Sequence, residues 1–261
     1  MAELNDKFEF EQDGKTYNLY NLPDGFVIEG DVNLSYKELT KLPDLSKVTV
    51  KGNFNCFNNR LTSLTGAPRE VGGDFWCFGN QLTSLTGAPQ EVGGDFDCCD
   101  NKLTSLTGAP REVGGYFDCS DNSLVSLQGA PQKVGGDFWC YNNRLTSLQG
   151  APQEVGGSFY CSKNDNLFSL LGLSQMQEDK EILCDNDLVD RYNCPKKENG
   201  TGGYYIKYKD LIESTKYQSE LSLHKILQKK HEERAQNDTA RKEKLKAGFE
   251  AFMKMQTEER E

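Results

Sequence analysis

The groups in this chain able to do chemistry are carboxylates, thiols and aromatic rings, and most of them recur at one interval. Six of the nine cysteines, Cys56, Cys77, Cys98, Cys119, Cys140 and Cys161, are spaced 21 residues apart. Stacked strands would bring neighbouring thiols to about 4.8 Å, so distance alone allows disulfides. The better reading is a column of reduced thiols serving as small core residues. A zinc site needs ligands that converge tetrahedrally, whereas these would lie in a line. The two histidines, His224 and His231, have no ligand partners at metal spacing. The glycine-rich stretch from Lys196 to Gly203 lacks the Gly-Lys-Ser/Thr ending that positions a phosphate-binding lysine. Cys194-Pro195 has no nucleophile context. The expectation is a protein with no catalytic residues, no cofactor and no resident metal.

Those side chains must be positioned by a repeat. Leu-Thr-Ser-Leu-x-Gly-Ala-Pro-x-x-Val-Gly-Gly-x-Phe-x-Cys-x-x-Asn recurs from Leu61 to Asn164. Such a period predicts a solenoid in which each unit buries its apolar face against its neighbours. Units begin at Ile28, Val50, Val71, Val92, Val113, Val134 and Val155, giving seven. Phe and Cys, two residues apart, point into the core of a strand. The Asn five residues after Phe is expected to bridge backbone groups between turns. Leu-x-x-Leu fills the remaining core. Gly-Ala-Pro and Gly-Gly turn the chain, proline by fixing φ and glycine by allowing positive φ. The fold class is therefore mainly β, a solenoid of about seven repeats with an N-terminal hairpin cap and an α-helical C-terminal tail.

Because side chains alternate along a strand, the residues flanking Phe and Cys are expected on an open, concave face. The column before Phe is Asn53, Asp74, Asp95, Tyr116, Asp137, Ser158. Between Phe and Cys run Asn55, Trp76, Asp97, Asp118, Trp139, Tyr160, and after Cys run Phe57, Phe78, Cys99, Ser120, Tyr141, Ser162. These positions hold seven aromatic residues, five aspartates and no Lys or Arg. Exposed aromatic patches mark interaction sites, and Trp and Tyr are enriched among binding hot spots. The candidate partner-binding residues are Phe57, Asp74, Trp76, Phe78, Asp95, Asp97, Tyr116, Asp118, Asp137, Trp139, Tyr141 and Tyr160. A divalent cation on Asp95, Asp97 and Asp118, with Asp100 or Asp121, is the weaker alternative, because ranked side chains rarely converge on six or more oxygens.

Four segments follow. Residues 1–27 form a cap, with alternation in Phe8–Glu11 and a hairpin turn at Asp13-Gly14. The solenoid spans 28–170, a C-terminal cap and hinge 171–203, and a helical tail 204–261. Ile212, Leu223, Ile226 and Leu227 suggest one helix, and Leu245, Phe249, Phe252 and Met253 form the stripe of another. Asn237-Asp238 breaks and caps between them. The tail either packs on the solenoid end or, over 206–257, binds a partner or dimerises. The net charge of −10 resides in the body, since residues 206–261 carry 13 basic and 11 acidic side chains. An acidic body argues against phosphate contacts and nucleic acid, and for a protein partner with a basic surface or simply for good solubility. No leader-like start and no apolar run of about 20 residues argue for a cytoplasmic protein with no membrane contact.

Phe-x-Cys-x-x-Asn-x-Leu-x-x-Leu resembles the leucine-rich repeat core Leu-x-Leu-x-x-Asn-x-Leu. Over residues 28–170 it is more similar still to short-period bacterial repeats, and to Gly-Ala-Pro/Val-Gly-Gly repeats of the type found in bacteriophage genomes. The resemblance implies a non-enzymatic, protein-binding scaffold. It further implies a phage-encoded host-interaction protein in the bacterial cytoplasm, inhibiting an enzyme or defence complex by occupying its surface. A carbohydrate-binding or virion-associated module is the alternative, since aromatic platforms also stack sugars and carboxylates accept hydroxyl hydrogen bonds.

Overall fold

A computed structural model describes residues 8–173, 176–177, 179–195, 197–198, 203–223, 225–226 and 229. The chain opens with an antiparallel hairpin, β1 (Glu9–Gln12) and β2 (Lys15–Asn18). Asp13 and Gly14 both take positive φ in its turn, as a two-residue hairpin loop requires. Gln12 then acts as a substitute strand. Its amide donates to the Val27 carbonyl and accepts from the Glu29 N–H, each at 3.0 Å, covering the first edge of the solenoid.

Seven turns follow, each built from two two-residue strands. The first strands are β3 (Val27–Ile28), β5 (Thr49–Val50), β7 (Glu70–Val71), β9 (Glu91–Val92), β11 (Glu112–Val113), β13 (Lys133–Val134) and β15 (Glu154–Val155). The second strands are β4 (Val32–Asn33), β6 (Phe54–Asn55), β8 (Phe75–Trp76), β10 (Phe96–Asp97), β12 (Phe117–Asp118), β14 (Phe138–Trp139) and β16 (Phe159–Tyr160). The first set makes a seven-stranded parallel sheet, and the second forms the parallel part of a ten-stranded sheet. The Val column, legible in the sequence only as a phase marker, is thus a sheet in its own right.

Register places like on like: Phe96 lies opposite Phe75 and Phe117. The six phenylalanine rings stack through the core at centroid distances of 5.0–5.5 Å. The six-cysteine column and the Leu-x-x-Leu pairs from Leu61 to Leu148 are fully buried beside them. All nine cysteines are free thiols. Asn80 performs the expected bridge: Nδ2 donates to the Cys56 and Cys77 carbonyls at 3.0 Å, and Oδ1 accepts from the Leu61 N–H at 3.0 Å.

One expectation about glycine needs correction. The glycine of Gly-Ala-Pro does take positive φ, +94° at Gly87. Gly-Gly does not, and close approach is what it serves. A Cβ on Gly93 would lie 2.2 Å from the Gly72 carbonyl oxygen, and one on Gly94 would lie 2.2 Å from Asp74 Oδ1. The turns stack too closely there for any side chain.

At the C-terminal end the ten-stranded sheet continues. β17 (Glu181–Asp185) pairs parallel with β16, and α1 (Asn186–Tyr192) follows it. β18 (Lys197–Glu198) and β19 (Gly203–Lys207) then extend the sheet antiparallel, before α2 (Tyr208–Glu213). The boundary expected at 203/204 therefore falls at a strand rather than a hinge. Ile206 and Leu211 are buried, and the Tyr192 hydroxyl accepts from the Leu170 N–H at 3.0 Å. Residues through Ser214 form one compact unit and those from Thr215 another. Residues 215–223 are helical. His224, Leu227, His231, the Asn237-Asp238 break and the stripe of Leu245, Phe249, Phe252 and Met253 lie outside the described residues. Among the described residues no helix is long and apolar enough to cross a membrane.

Candidate interaction face

The outward side of the ten-stranded sheet carries all twelve residues singled out in the sequence. Their column positions are as expected, but their exposure and their tasks differ from one column to the next.

The column before Phe is largely structural. Asn53 Oδ1 accepts from the Asp74 N–H, Asp74 Oδ1 from the Asp95 N–H and Asp95 Oδ1 from the Tyr116 N–H, each at 2.8 Å. Asp137 Oδ1 accepts from the Ser158 N–H at 2.7 Å. Each carboxylate reaches along the solenoid axis to cap the next turn, and this places it against the second glycine. Burial pushes the Asp95 carboxyl up, its bond from Tyr116 opposes this, and the Asp74 charge adds to it. Tyr116 replaces a carboxylate in this column.

The middle column lies on the outward side of the sheet, between Phe and Cys. Its register runs Asn55, Trp76, Asp97, Asp118, Trp139, Tyr160, so two adjacent carboxylates sit between two indoles. Each carboxylate closes a turn in its own unit. Asp97 Oδ1 accepts from the Cys99 N–H at 3.0 Å. Asp118 Oδ1 accepts from the Ser120 N–H at 2.8 Å and the Ser120 hydroxyl at 2.5 Å. Asp118 was expected to be open to solvent, yet it is 4% exposed. Burial pushes its carboxyl up to about 7, against the Ser120 bonds and with help from Asp97 and Asp121. Asp97 is raised by burial too, with Cys99 opposing and Asp95 adding.

The tryptophans also need correction. They are half-buried rather than free, and both indole Nε1 atoms are buried without a hydrogen-bond partner. Trp139 stacks on Tyr116 at 4.8 Å and meets Tyr160 edge-on at 5.9 Å. At the other end Phe57 stacks on Phe78 at 4.5 Å and lies 6.3 Å from Trp76. Tyr36, 70% exposed, joins this cluster through Phe57 at 5.4 Å. It was missed because the first unit is degenerate, although it aligns with Asn58, 22 residues on. Tyr141 is half-buried beside the carboxylates: burial raises its phenol, Ser120 opposes, and Asp118 and Asp121 add.

No family model matches this chain, and neither a curated protein nor a solved structure matches it.

The cation set weighed from the sequence does not assemble. Among the described residues, the group whose ligand atoms lie within 4.8 Å of one another is Asp97, Cys99 and Asp118. Asp95 is engaged in the capping column. Asp100 and Asp121 occupy a position that takes left-handed backbone in successive units, with φ of 49° and 53°. Asn58, Gly79 and Asn142 fill the same position, so its acids fit the backbone preference of Asx and Gly, although Tyr36 and Lys163 take the same left-handed backbone in the first and last units. Burial raises the Cys99 thiol, and Asp97 and Asp118 raise it further. It is a poor nucleophile.

Proposed function

We propose that this protein is a non-enzymatic scaffold that binds a protein partner through the outward face of its ten-stranded sheet. The observation that carries this reading is the middle column, where Asp97 and Asp118 lie side by side between the aromatic clusters around Trp76 and Trp139. Like charges on adjacent strands are destabilising, and burial adds to the cost. A pair kept at the centre of an aromatic face suits a basic partner better than it suits the free fold. None of the ion pairs among the described residues uses a carboxylate of this face. The repeat's resemblance to bacteriophage repeats extends the reading to a phage-encoded inhibitor. In this reading it acts in the bacterial cytoplasm by covering the surface of an enzyme or defence complex.

The test is site-specific photo-crosslinking in bacterial cells, with a benzophenone side chain at Tyr141 on this face and at Glu91 on the seven-stranded sheet. The reading expects one defined protein adduct from position 141 and none from 91. Adducts from 91 alone would move the interface to the other sheet. Glycan ligands quenching tryptophan fluorescence, with no protein adduct at 141, would favour the carbohydrate-binding alternative.

A further inference from the structure

We infer that the sheet face from β8 to β14 docks an arginine-bearing segment of the partner, with one guanidinium seated over the Asp97/Asp118 pair among the rings of Trp76, Tyr116 and Trp139. This rests on the protein-binding reading above and specifies its chemistry. Asp97 and Asp118 occupy the same position on neighbouring strands, which are spaced about 4.8 Å apart. A planar guanidinium presents five donors along its edges and can bond the half-buried Asp97 directly. From there its charge sits beside that of Asp118, which at 4% exposed is felt through the field rather than by contact. The aromatic plates suit it as well. Tyr116 lies flat on Trp139, and its phenol is raised by burial and then by the charges of Asp97, Asp95 and Asp118, which places that ring beside the acids. Guanidinium stacks on such rings and is less strongly hydrated than ammonium, so a half-buried seat favours arginine over lysine. A metal ion fits less well. Asp118 Oδ1 already accepts two hydrogen bonds, and three ligand atoms fall short of the six to eight oxygens that calcium takes. The buried indole N–H groups of Trp76 and Trp139 lack an acceptor, which a guanidinium does not supply; a backbone carbonyl of the docked segment is the group that suits them.

The test measures a fluorescein-labelled oligo-arginine peptide by anisotropy against the full chain at about 150 mM salt, with oligo-lysine of equal length as comparator. Asp97→Asn/Asp118→Asn should weaken oligo-arginine binding by about tenfold or more. Glu91→Gln/Glu112→Gln, which removes the same charge from the seven-stranded sheet, should change it by less than about twofold. Oligo-lysine should bind at least about threefold more weakly. Affinity should also rise with pH through about 7, because the cation competes with the proton on Asp118. The groups around that carboxyl include Asp97 and Cys99 from the preceding turn, Tyr116, Ser120 and Asp121 from its own, and Trp139 and Tyr141 from the next. Equal losses in the two double variants, or equal binding of the two peptides, would overturn the inference. So would zinc chloride binding that Cys99→Ser abolishes in a protein indifferent to arginine. If the adduct at 141 survives Asp97→Asn/Asp118→Asn but not Trp139→Ala, the scaffold stands and the arginine seat falls.

Discussion

Asp118 carries opposed demands. Its carboxyl is raised to about 7 by burial, so in the folded state it holds a proton that the unfolded chain releases near pH 4. Between those values the native state binds more protons than the unfolded one, and this group's contribution to stability falls as pH rises. Asp118→Asn keeps the acceptor for Ser120 and removes the charge. It should stabilise the fold by about 2 kcal/mol at pH 8, with the gain shrinking toward pH 5, as read by urea denaturation at both pH values. A gain independent of pH would show that charge burial is not the cause. The thiols make a second residue-scale prediction. Eight of the nine are buried and the ninth, Cys99, is half-buried with a raised pKa. A thiol-specific disulfide reagent should label at most Cys99, slowly, in the native protein and all nine in denaturant. Reductant should move the melting temperature by less than about 2 °C. At this scale the inward residues were legible, because period 21 and strand alternation together fix Phe, Cys, Asn and Leu. The outward ones were less so. Alternation says that Asp74, Asp95 and Asp137 leave the core, but not that they bend along the axis to cap the next turn. Nor does it say that position 100 or 121 asks for left-handed backbone.

The elements were readable where a pattern repeats and obscure where it stops. Seven units, the hairpin and helix beyond residue 207 follow from periodicity and turn chemistry. β19 does not, because Gly200-Thr201-Gly202-Gly203 reads as a linker. The signal for a strand was Tyr204-Tyr205-Ile206, aromatic and β-branched residues immediately after the glycines. The consequence concerns where the chain can be cut. β19 pairs along all five residues of β17 and buries Ile206, and α2 buries Leu211. A chain ending at Ser214 should unfold cooperatively with a denaturation midpoint close to that of the full chain. One ending at Gly202 exposes β17 and should lose about 3 kcal/mol or more. Circular dichroism melts and urea titrations of the two truncations distinguish these outcomes. Equal stability would show that β19 and α2 contribute nothing to the cap.

On the proposed reading, the whole solenoid serves as a support for its outward face. Its core is a stack of phenylalanine rings at near-constant spacing, so each outward side chain is held at a fixed distance from the next. A surface of that kind concentrates binding energy in a few anchors. Trp76→Ala and Trp139→Ala should each weaken partner binding by about 2 kcal/mol or more. The half-burial of both indoles means that stability is not spared, and each should lose about 1–2 kcal/mol of it. Phe96→Ala separates the two effects. Its ring is fully buried between Phe75 and Phe117, so it should cost about 3–5 kcal/mol of stability while leaving the outward chemistry intact. Measured below the melting temperature of each variant, binding should follow the tryptophans and not the overall stability. If Phe96→Ala weakens binding as much as Trp139→Ala at equal folded fraction, the affinity comes from the rigidity of the stack rather than from anchors. If the tryptophan variants bind normally and substitutions at Arg69 or Arg111 abolish binding, the partner docks on the other side of the solenoid.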